Sequence, residues 1–473
     1  MFRLSSLGLT RGRVVVFVPR WLPPDPAGVG LPYRVYPVVS ALLRAGYAVD
    51  LCHEVHVAAE APEVVRALDG ATAAAVWFAE LNPGMQLPGM FAFLEMVRRE
   101  QPALPRLCGG GFVPLLPSLF DCEGLAELVR SEEVGALAAA VAALHGEVSA
   151  ERQPFGVEAL FAMDLAPFLV PGRLLFRNDT PTLQIPTGQG CGKHCGFCFY
   201  EATQPRLLPA AGIAELMGHC HHRFGVRQFQ LGELDFLMAK NRALELAERL
   251  RQAALPLRWF ALASVQDVLA IGTDGLSALA AAGLASLELG TETGTDDGLR
   301  RLDKRFGRDD VLEVQRRLRA VGVLPVHNIL FGWIGETVAH QDGTRRLVRE
   351  LAAIEPQTVF HFRLYQAMPG TPMGDEGLRS SPPLPRRWSE IAGWRQQQRR
   401  AMPWLTKAAE TRARLWCERW LPRAYGEDSG AGSMRRRWLE RIARVRCRTG
   451  WAWWPFEDRL LAGSGDVRAT WLP

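Results

Sequence analysis

Between about residues 181 and 375, six short apolar runs alternate with stretches whose apolar residues recur every three or four positions. The runs at 182–186, 227–231, 257–263, 285–290, 324–331 and 358–366 predict strands. The intervening stretches at 211–224, 242–253, 276–282, 309–321 and 340–354 predict helices. Six such units joined by short loops suggest an open, partial (β/α)6 barrel, whose chemistry sits at the carboxyl ends of its strands.

The first 150 residues carry a second βα series. Strands are predicted at 13–18, 48–51, 73–78 and 105–108, with a helix at 36–45 closed by Gly46. Continuous apolar strands alternating with helices mean a parallel sheet covered on both faces. An α/β, doubly wound Rossmann-like domain follows, with any ligand at the carboxyl ends of its strands. Residues 151–180 hold Pro154, Pro167, Pro171 and Gly172 with little periodicity, and read as a linker to the barrel at 181–375. The remaining 376–473 form a helical region, with helices expected at 386–401, 407–420 and 433–446. It holds ten of the fourteen tryptophans and dense arginine.

Bulk properties exclude several classes. Of 473 residues, 48% are hydrophobic and 22% charged, as in folded soluble proteins, and a net charge of +5 is small for this length. No apolar run reaches the twenty or so residues of a membrane span, and the alanine-rich 135–145 reads as a buried helix. The start lacks a long apolar stretch followed by a small-residue cleavage site, so no signal peptide is expected. Nine cysteines, scattered except for one tight group of three, do not make a disulfide framework, and a reducing cytoplasm is the expected setting. No nucleic-acid module accompanies the basic residues.

The tight group follows the first barrel strand, in Pro186-Thr-Gly-Gln-Gly-Cys191-Gly-Lys-His-Cys195-Gly-Phe-Cys198-Phe-Tyr200. Glycines let the backbone turn so that three thiolates face one centre. Three ligands leave one iron of a cubane open, where electron-transfer clusters use four. Zinc prefers a closed tetrahedral set, for which His194 or Cys220 would have to be the fourth ligand. Spacing therefore favours a cluster without excluding zinc. His219-Cys220-His221-His222 reads as a solvated helix end rather than a metal tract.

The spacing C-x3-C-x2-C, with Phe197 before the last cysteine, resembles the radical S-adenosylmethionine (SAM) superfamily. Leu231-Gly232-Glu233 looks like the motif that receives the SAM amino group, although leucine replaces its first glycine. Gly290-Thr-Glu292-Thr-Gly294 resembles the stretch that lies along SAM, and it continues as Leu299-Arg-Arg-Leu-Asp-Lys304. Gly332-Trp-Ile-Gly335-Glu336-Thr337 is similar to the segment near the adenine, and Met368-Pro369-Gly370-Thr371-Pro372 to the last turn. Taken singly, Glu292 also reads as a helix-capping carboxylate and Gly335-Glu336 as a plain turn. The resemblance implies a [4Fe–4S] cluster on Cys191, Cys195 and Cys198. It implies SAM contacts from Phe197, Tyr200, Gly232, Glu233, Gly290, Glu292 and Gly335. No catalytic residue beyond the cluster ligands is identified. Ala263-Ser264-Val265-Gln266 departs from the pattern, lacking the basic residue that relatives often carry after the third strand.

The front domain resembles the cobalamin-binding domain that precedes the barrel in one subgroup. Gly109-Gly110-Gly111-Phe112-Val113-Pro114, Leu128-Val129-Arg130-Ser131-Glu132-Glu133 and Leu31-Pro32 carry that resemblance. It implies cobalamin against Gly109, Gly110, Gly111 and Phe112, with Trp77 either on the lower cobalt face or in the core. The D-x-H-x-x-G motif that supplies a cobalt ligand is absent, and His53 and His56 follow Asp50 at the wrong spacing.

The implied activity is a radical cleavage of SAM to a 5′-deoxyadenosyl radical that abstracts hydrogen from substrate, followed by methyl transfer to an unactivated carbon. A non-methylating reaction, such as oxidative cyclisation or ring rearrangement, is the alternative within the same architecture. A non-catalytic metal-binding interaction protein is the alternative outside it. Expected partners are a small-molecule or lipid-like substrate and an external one-electron reductant of flavodoxin or ferredoxin type. The tryptophan- and arginine-rich end has three readings: peripheral membrane contact, a cap over the barrel mouth, or plain packing.

Overall fold

A computed structural model of the chain describes residues 1–4, 10–20, 34–78, 83–110, 113, 124–129, 135–147, 156–157, 160–161, 163, 165–169, 178, 180–198, 203–381, 387–426 and 434–453. Gly111, Phe112 and Tyr200, together with 31–32 and 130–133, lie outside these residues.

The front sheet runs β1 (Phe2–Leu4), β2 (Gly12–Val18), β3 (Tyr47–His53), β4 (Ala73–Phe78), β5 (Arg106–Gly110) and β6 (Glu127–Leu128) in chain order. In space the order is β1-β3-β2-β4-β5-β6. Strands β2 to β6 are parallel and β1 is antiparallel on the edge. Leaving β1 aside, the order is the flavodoxin-like one, with its topological switch point between β2 and β4. The apolar runs explain this. Val14, Val16 and Val18 pack on one face of β2, and Val15 and Phe17 on the other, all fully buried. The three-residue β1 escapes pattern reading; it is tied down where Arg3 and Arg13 donate to the buried Asp50 carboxylate at 2.7 and 2.9 Å.

The second sheet is built from β7 (Thr182–Pro186), then β10 (Gln228–Gly232), β11 (Arg258–Ala263), β12 (Leu284–Glu292), β13 (Leu324–Phe331) and β14 (Val359–Leu364), all parallel and adjacent in chain order. This is the open, partial barrel. Between β7 and β10 stands an antiparallel pair absent from the pattern reading, β8 (Gly188–Cys191) and β9 (Thr203–Leu207), which carries the cysteine loop. The helix after β11 also differs from expectation. It spans Val265–Ala281 and is kinked at Gly272, whose φ of 73° and ψ of 173° are not helical. That break hides its first half from a search for 3.6-residue periodicity.

On the helix side of the barrel, His327 of β13 is sealed between Thr291, 2.7 Å from Nδ1, and Gln315, 2.9 Å from Nε2. Inside the barrel, Phe260, Val326 and Val359 pack as an apolar floor. Cys220 is buried in the main core, which pushes its thiol up to about 12. It is unsuited to ligating a metal beside the cysteine loop.

The two sheets share a core. One apolar cluster runs from Val14, Val16 and Trp77 of the front sheet through Phe168 into Leu183, Ile185 and Phe229 of the barrel. On the opposite face, Met368 and Ile391 pack into the front domain with Phe17, Phe78 and Phe93.

The helical end is largely packing. Trp416 and Trp420 are fully buried, the five-residue Trp416–Trp420 segment being a π-helix. Arg446, also buried, lies between the rings of Trp420 and Trp451, 4.4 Å from each centroid, and donates to Trp453 O at 2.8 Å. Trp438, Trp451 and Trp453 remain 46%, 49% and 40% exposed, so part of the tryptophan set is left on the surface. Among the described residues no helix is long and apolar enough to cross a membrane.

A buried guanidinium between two rings with carbonyl partners is costly to truncate. R446M is expected to cost about 2–3 kcal/mol, read as a lowered midpoint of thermal unfolding; an unchanged midpoint would show the cage to be inert.

Candidate active site

The cysteine loop sits at the carboxyl end of β7, where the β8–β9 hairpin leaves the barrel. Cys191 ends β8 and is 9% exposed, while Cys195 and Cys198 are half-buried; none of the three is in a disulfide. Cys198 N–H donates to Cys195 O at 2.9 Å, forming a turn. Gly196 ties that turn to the barrel: its N–H donates to Leu302 O at 3.3 Å and its carbonyl accepts from Met373 N–H at 2.9 Å. Among the described residues no three His, Cys, Asp or Glu side chains are grouped to enclose a single metal ion.

The hairpin base is anchored separately. Arg242 donates to Thr187 O at 3.1 Å and Leu208 O at 3.2 Å, and pairs with Glu233 Oε1. Glu233 is 2% exposed, and its Oε2 has no partner. Burial raises its carboxyl above the ordinary range, with Arg242 opposing.

Two lysines not assigned a role from sequence lie against the loop. Lys304 Nζ stands 3.2 Å from Glu292 Oε1 and 5.2 Å from the centre of the Phe197 ring. Burial works against its charge, but Glu292 and the neighbouring Cys195 and Cys198 outweigh burial and hold the ammonium above its usual range. Glu292 adopts a φ of 63°, left-handed for a residue that is not glycine. A Cβ on Gly290 would stand 3.0 Å from Glu292 Oε1 and 3.2 Å from Lys304 Nζ, so only glycine leaves that pair undisturbed. Lys193 Nζ lies 2.6 Å from Asp267 Oδ2 and 3.6 Å from Asp235 Oδ2. Burial, with Asp267 alongside, pushes Asp235 up to about 7. Burial also raises the Cys191 thiol, with Asp235 and Cys195 adding to it.

Thus Phe197, Gly290 and Glu292 converge on the cysteine loop. Gly232 and Glu233 lie beneath its hairpin, and Gly335 lies apart on the loop after β13. That loop is shaped by Glu336, whose Oε2 accepts from Gly332 N–H at 2.8 Å and Gln341 Nε2 at 3.0 Å. The helical end closes over it: Trp404 Nε1 donates to Gly332 O at 2.8 Å and Gln341 Nε2 to Ala409 O at 2.9 Å. Above the barrel floor, Glu288 accepts from Asn328 Nδ2 at 2.7 Å, with His361 Nδ1 at 3.4 Å. In the front domain Gly109 and Gly110 end β5. A Cβ on Gly109 would stand 2.7 Å from the Trp77 ring, and Trp77 itself is 3% exposed within the core.

Residues 185–348 match the family model of the radical SAM superfamily. The chain carries a radical SAM domain. No curated protein matches. Among solved structures, the radical SAM methyltransferase TsrM from Kitasatospora setae, with tryptophan substrate and a SAM analogue bound, superposes with a TM-score of 0.61 at 18% identity. The match covers 78% of this chain and 76% of that one. The cobalamin-dependent SAM radical enzyme OxsB, with aqua-cobalamin bound, gives a TM-score of 0.59 at 14% identity, over 71% of this chain and 52% of that one. These are likenesses of fold.

The radical SAM domain implies a [4Fe–4S] cluster and SAM, and the residues present suit both. Three cysteines outside any disulfide share one loop, the buried Lys304 ammonium lies 5.2 Å from its Phe197 ring centre, and Glu233 and Asp235 each keep a buried oxygen without a hydrogen-bond partner.

Burial raises the Glu336 carboxyl to about 8. A carboxyl raised in the fold contributes stability below its ordinary value and loses it as pH climbs to the folded value. Thermal midpoints are expected to fall between about pH 4.5 and 8 in the wild type relative to E336Q and to run parallel above. A constant difference across that window would contradict the assignment.

Proposed function

We propose that the protein is a cobalamin-dependent radical SAM enzyme that methylates an unactivated carbon of a small or lipid-like substrate. The observation that carries the radical SAM part is the cysteine loop, with three cysteines outside any disulfide and the buried Lys304 ammonium 5.2 Å from the centre of its Phe197 ring. Cobalamin is supported by the flavodoxin-like strand order, with its switch point and glycine-ended β5, and by the likeness to TsrM and OxsB. Methylation rests on the likeness to TsrM, whose structure is described as that of a methyltransferase.

A reduced [4Fe–4S] cluster held by the cysteine loop would supply the electron for reductive cleavage of SAM, and cobalamin would supply the methyl group. The chain's residues do the rest. Cys191, Cys195 and Cys198 hold the cluster, and the Gly196 hydrogen bonds fix their loop. Phe197, Gly232, Glu233, Gly290, Glu292 and Gly335, with Tyr200, bound the SAM site. Gly109 and Gly110, with Gly111 and Phe112, edge the cobalamin site; Trp77 supports Gly109 from the core. Substrate occupies the chamber between the two sets of strand ends, and Trp404, bonded to Gly332 O, covers the loop after β13. An external one-electron donor reduces the cluster.

Anaerobic reconstitution is expected to load the wild type with iron, sulfide and one cobalamin, and each of C191A, C195A and C198A to lose the cluster absorbance. With dithionite and SAM the wild type should release 5′-deoxyadenosine, and with substrate also S-adenosylhomocysteine. Absence of 5′-deoxyadenosine defeats the radical reading. Its formation without S-adenosylhomocysteine, in cobalamin-loaded enzyme turning over its substrate, defeats methylation alone.

A further inference from the structure

Among the described residues six large apolar side chains are left exposed, and four of them, Trp438, Val445, Trp451 and Trp453, fall within 434–453. The helix Met434–Thr449 carries the first two, and its turn spacing decides what surface they make. At 3.6 residues per turn, Trp438 and Val445 stand seven apart on one line down the helix. Arg437, Arg441, Arg444 and Arg448 follow one another at intervals of four, three and four, and make an exposed ridge beside that line. Ala443, Arg446 and Cys447 point the other way and are buried.

The charge here is one-sided. Residues 434–453 hold seven arginines and a single acid, Glu440. That acid is 11% exposed and pairs with Arg444 at 2.6 Å, so the helix presents no open carboxylate. The face is also fixed in place. Arg345, from the helix Val338–Ile354, donates to Cys447 O, and a Cβ on Gly450 would stand 3.2 Å from its guanidinium. Arg446 stacks against the Trp451 ring and donates to the carbonyls of Trp451 and Trp453 at 3.2 and 2.8 Å. Both indoles are thus carried on a pinned backbone while their rings stay exposed.

Charge and apolarity together select the partner. A nucleic acid would use the arginines and leave Val445, 58% exposed, without a role. A second copy docked by two-fold symmetry would set one arginine ridge against another. A bilayer with anionic headgroups uses every group: the indoles and Val445 enter the boundary between headgroups and acyl chains, and the guanidinium groups meet phosphate.

We infer that Trp438, Val445, Trp451 and Trp453, with the arginine ridge beside them, dock the protein on an anionic phospholipid membrane. The inference stands apart from the radical SAM reading, because none of these residues belongs to that site.

The test is flotation of the full-length, reconstituted protein with vesicles of phosphatidylcholine alone or of equal parts phosphatidylcholine and phosphatidylglycerol. The wild type is expected to float with the mixed vesicles, to stay behind with the neutral ones and to be released by salt. Replacing three arginines together, R437Q/R441Q/R448Q, should weaken binding about a hundredfold, and R437K/R441K/R448K should restore it. W438S/V445S should also detach the protein, with its thermal midpoint unchanged because both side chains are exposed. Nitroxide-labelled lipid should quench part of the tryptophan emission in the wild type and less of it in W438F. Equal binding to both vesicles, no binding to either, or wild-type binding by the glutamine variant would each overturn the inference. So would capture of single-stranded RNA by a protein that ignores the mixed vesicles, which would make the ridge a nucleic-acid surface.

Discussion

The site depends on two backbone hydrogen bonds made by one glycine. A loop that must offer three thiols has little apolar surface with which to fold itself, and thiolates crowded together repel. Gly196 answers this by giving its N–H to Leu302 and its carbonyl to Met373. Those partners belong to the segments after β12 and β14, so the loop after β7 is clamped by two distant parts of the barrel. The contact is close on the glycine's open side too: a Cβ there would meet Met373 Cγ at 3.3 Å. Barrel closure and cysteine placement are one event, because neither partner is in position until the later strands have paired.

The same coupling extends outward. Met368, in the turn that delivers Met373, is also a core residue of the front domain, packed with Phe17, Phe78 and Phe93. The helical end fastens the loop after β13 through Trp404 and Gln341. The cysteine loop, the front sheet and the carboxy-terminal helices therefore meet around the same strand ends. In that setting the abundant C-terminal arginine and tryptophan make mechanical sense: stacked guanidinium and indole groups bury charge while still satisfying it, as Arg446 does.

Elements with uninterrupted apolar character were legible in the sequence. Strands 73–78, 182–186 and 324–331 match the observed bounds residue for residue, because short apolar runs bounded by turn residues are too brief for a helix. The β8–β9 hairpin was not legible, since Gly188-Gln-Gly-Cys191 offers neither signal and is held by Arg242 from another unit. The helix at 265–281 was half legible for a local reason, its kink at Gly272. The cysteines could be found from spacing, and Glu292 from its motif. The roles of Lys193, Arg242 and Lys304 could not, because each is defined by a partner brought alongside only by the fold. The pairing of Glu233 with Arg242 is likewise invisible to a motif.

Charge is what unites these groups. Around the loop stand Glu233, Asp235, Asp267 and Glu292 against Lys193, Arg242 and Lys304, four carboxylates to three cations. Three are paired one to one, and Asp235 is the acid left over. In a buried site, pairing of this kind is what permits a charged group to stay ionised. The thiols add a second demand. Deprotonated to hold iron, they need positive charge close by, and Lys304, paired with Glu292 at 3.2 Å and 5.2 Å from the Phe197 ring centre, brings it to that side of the loop. The excess acid on the Cys191 side and the buried base on the Cys195–Cys198 side give the loop a polarity.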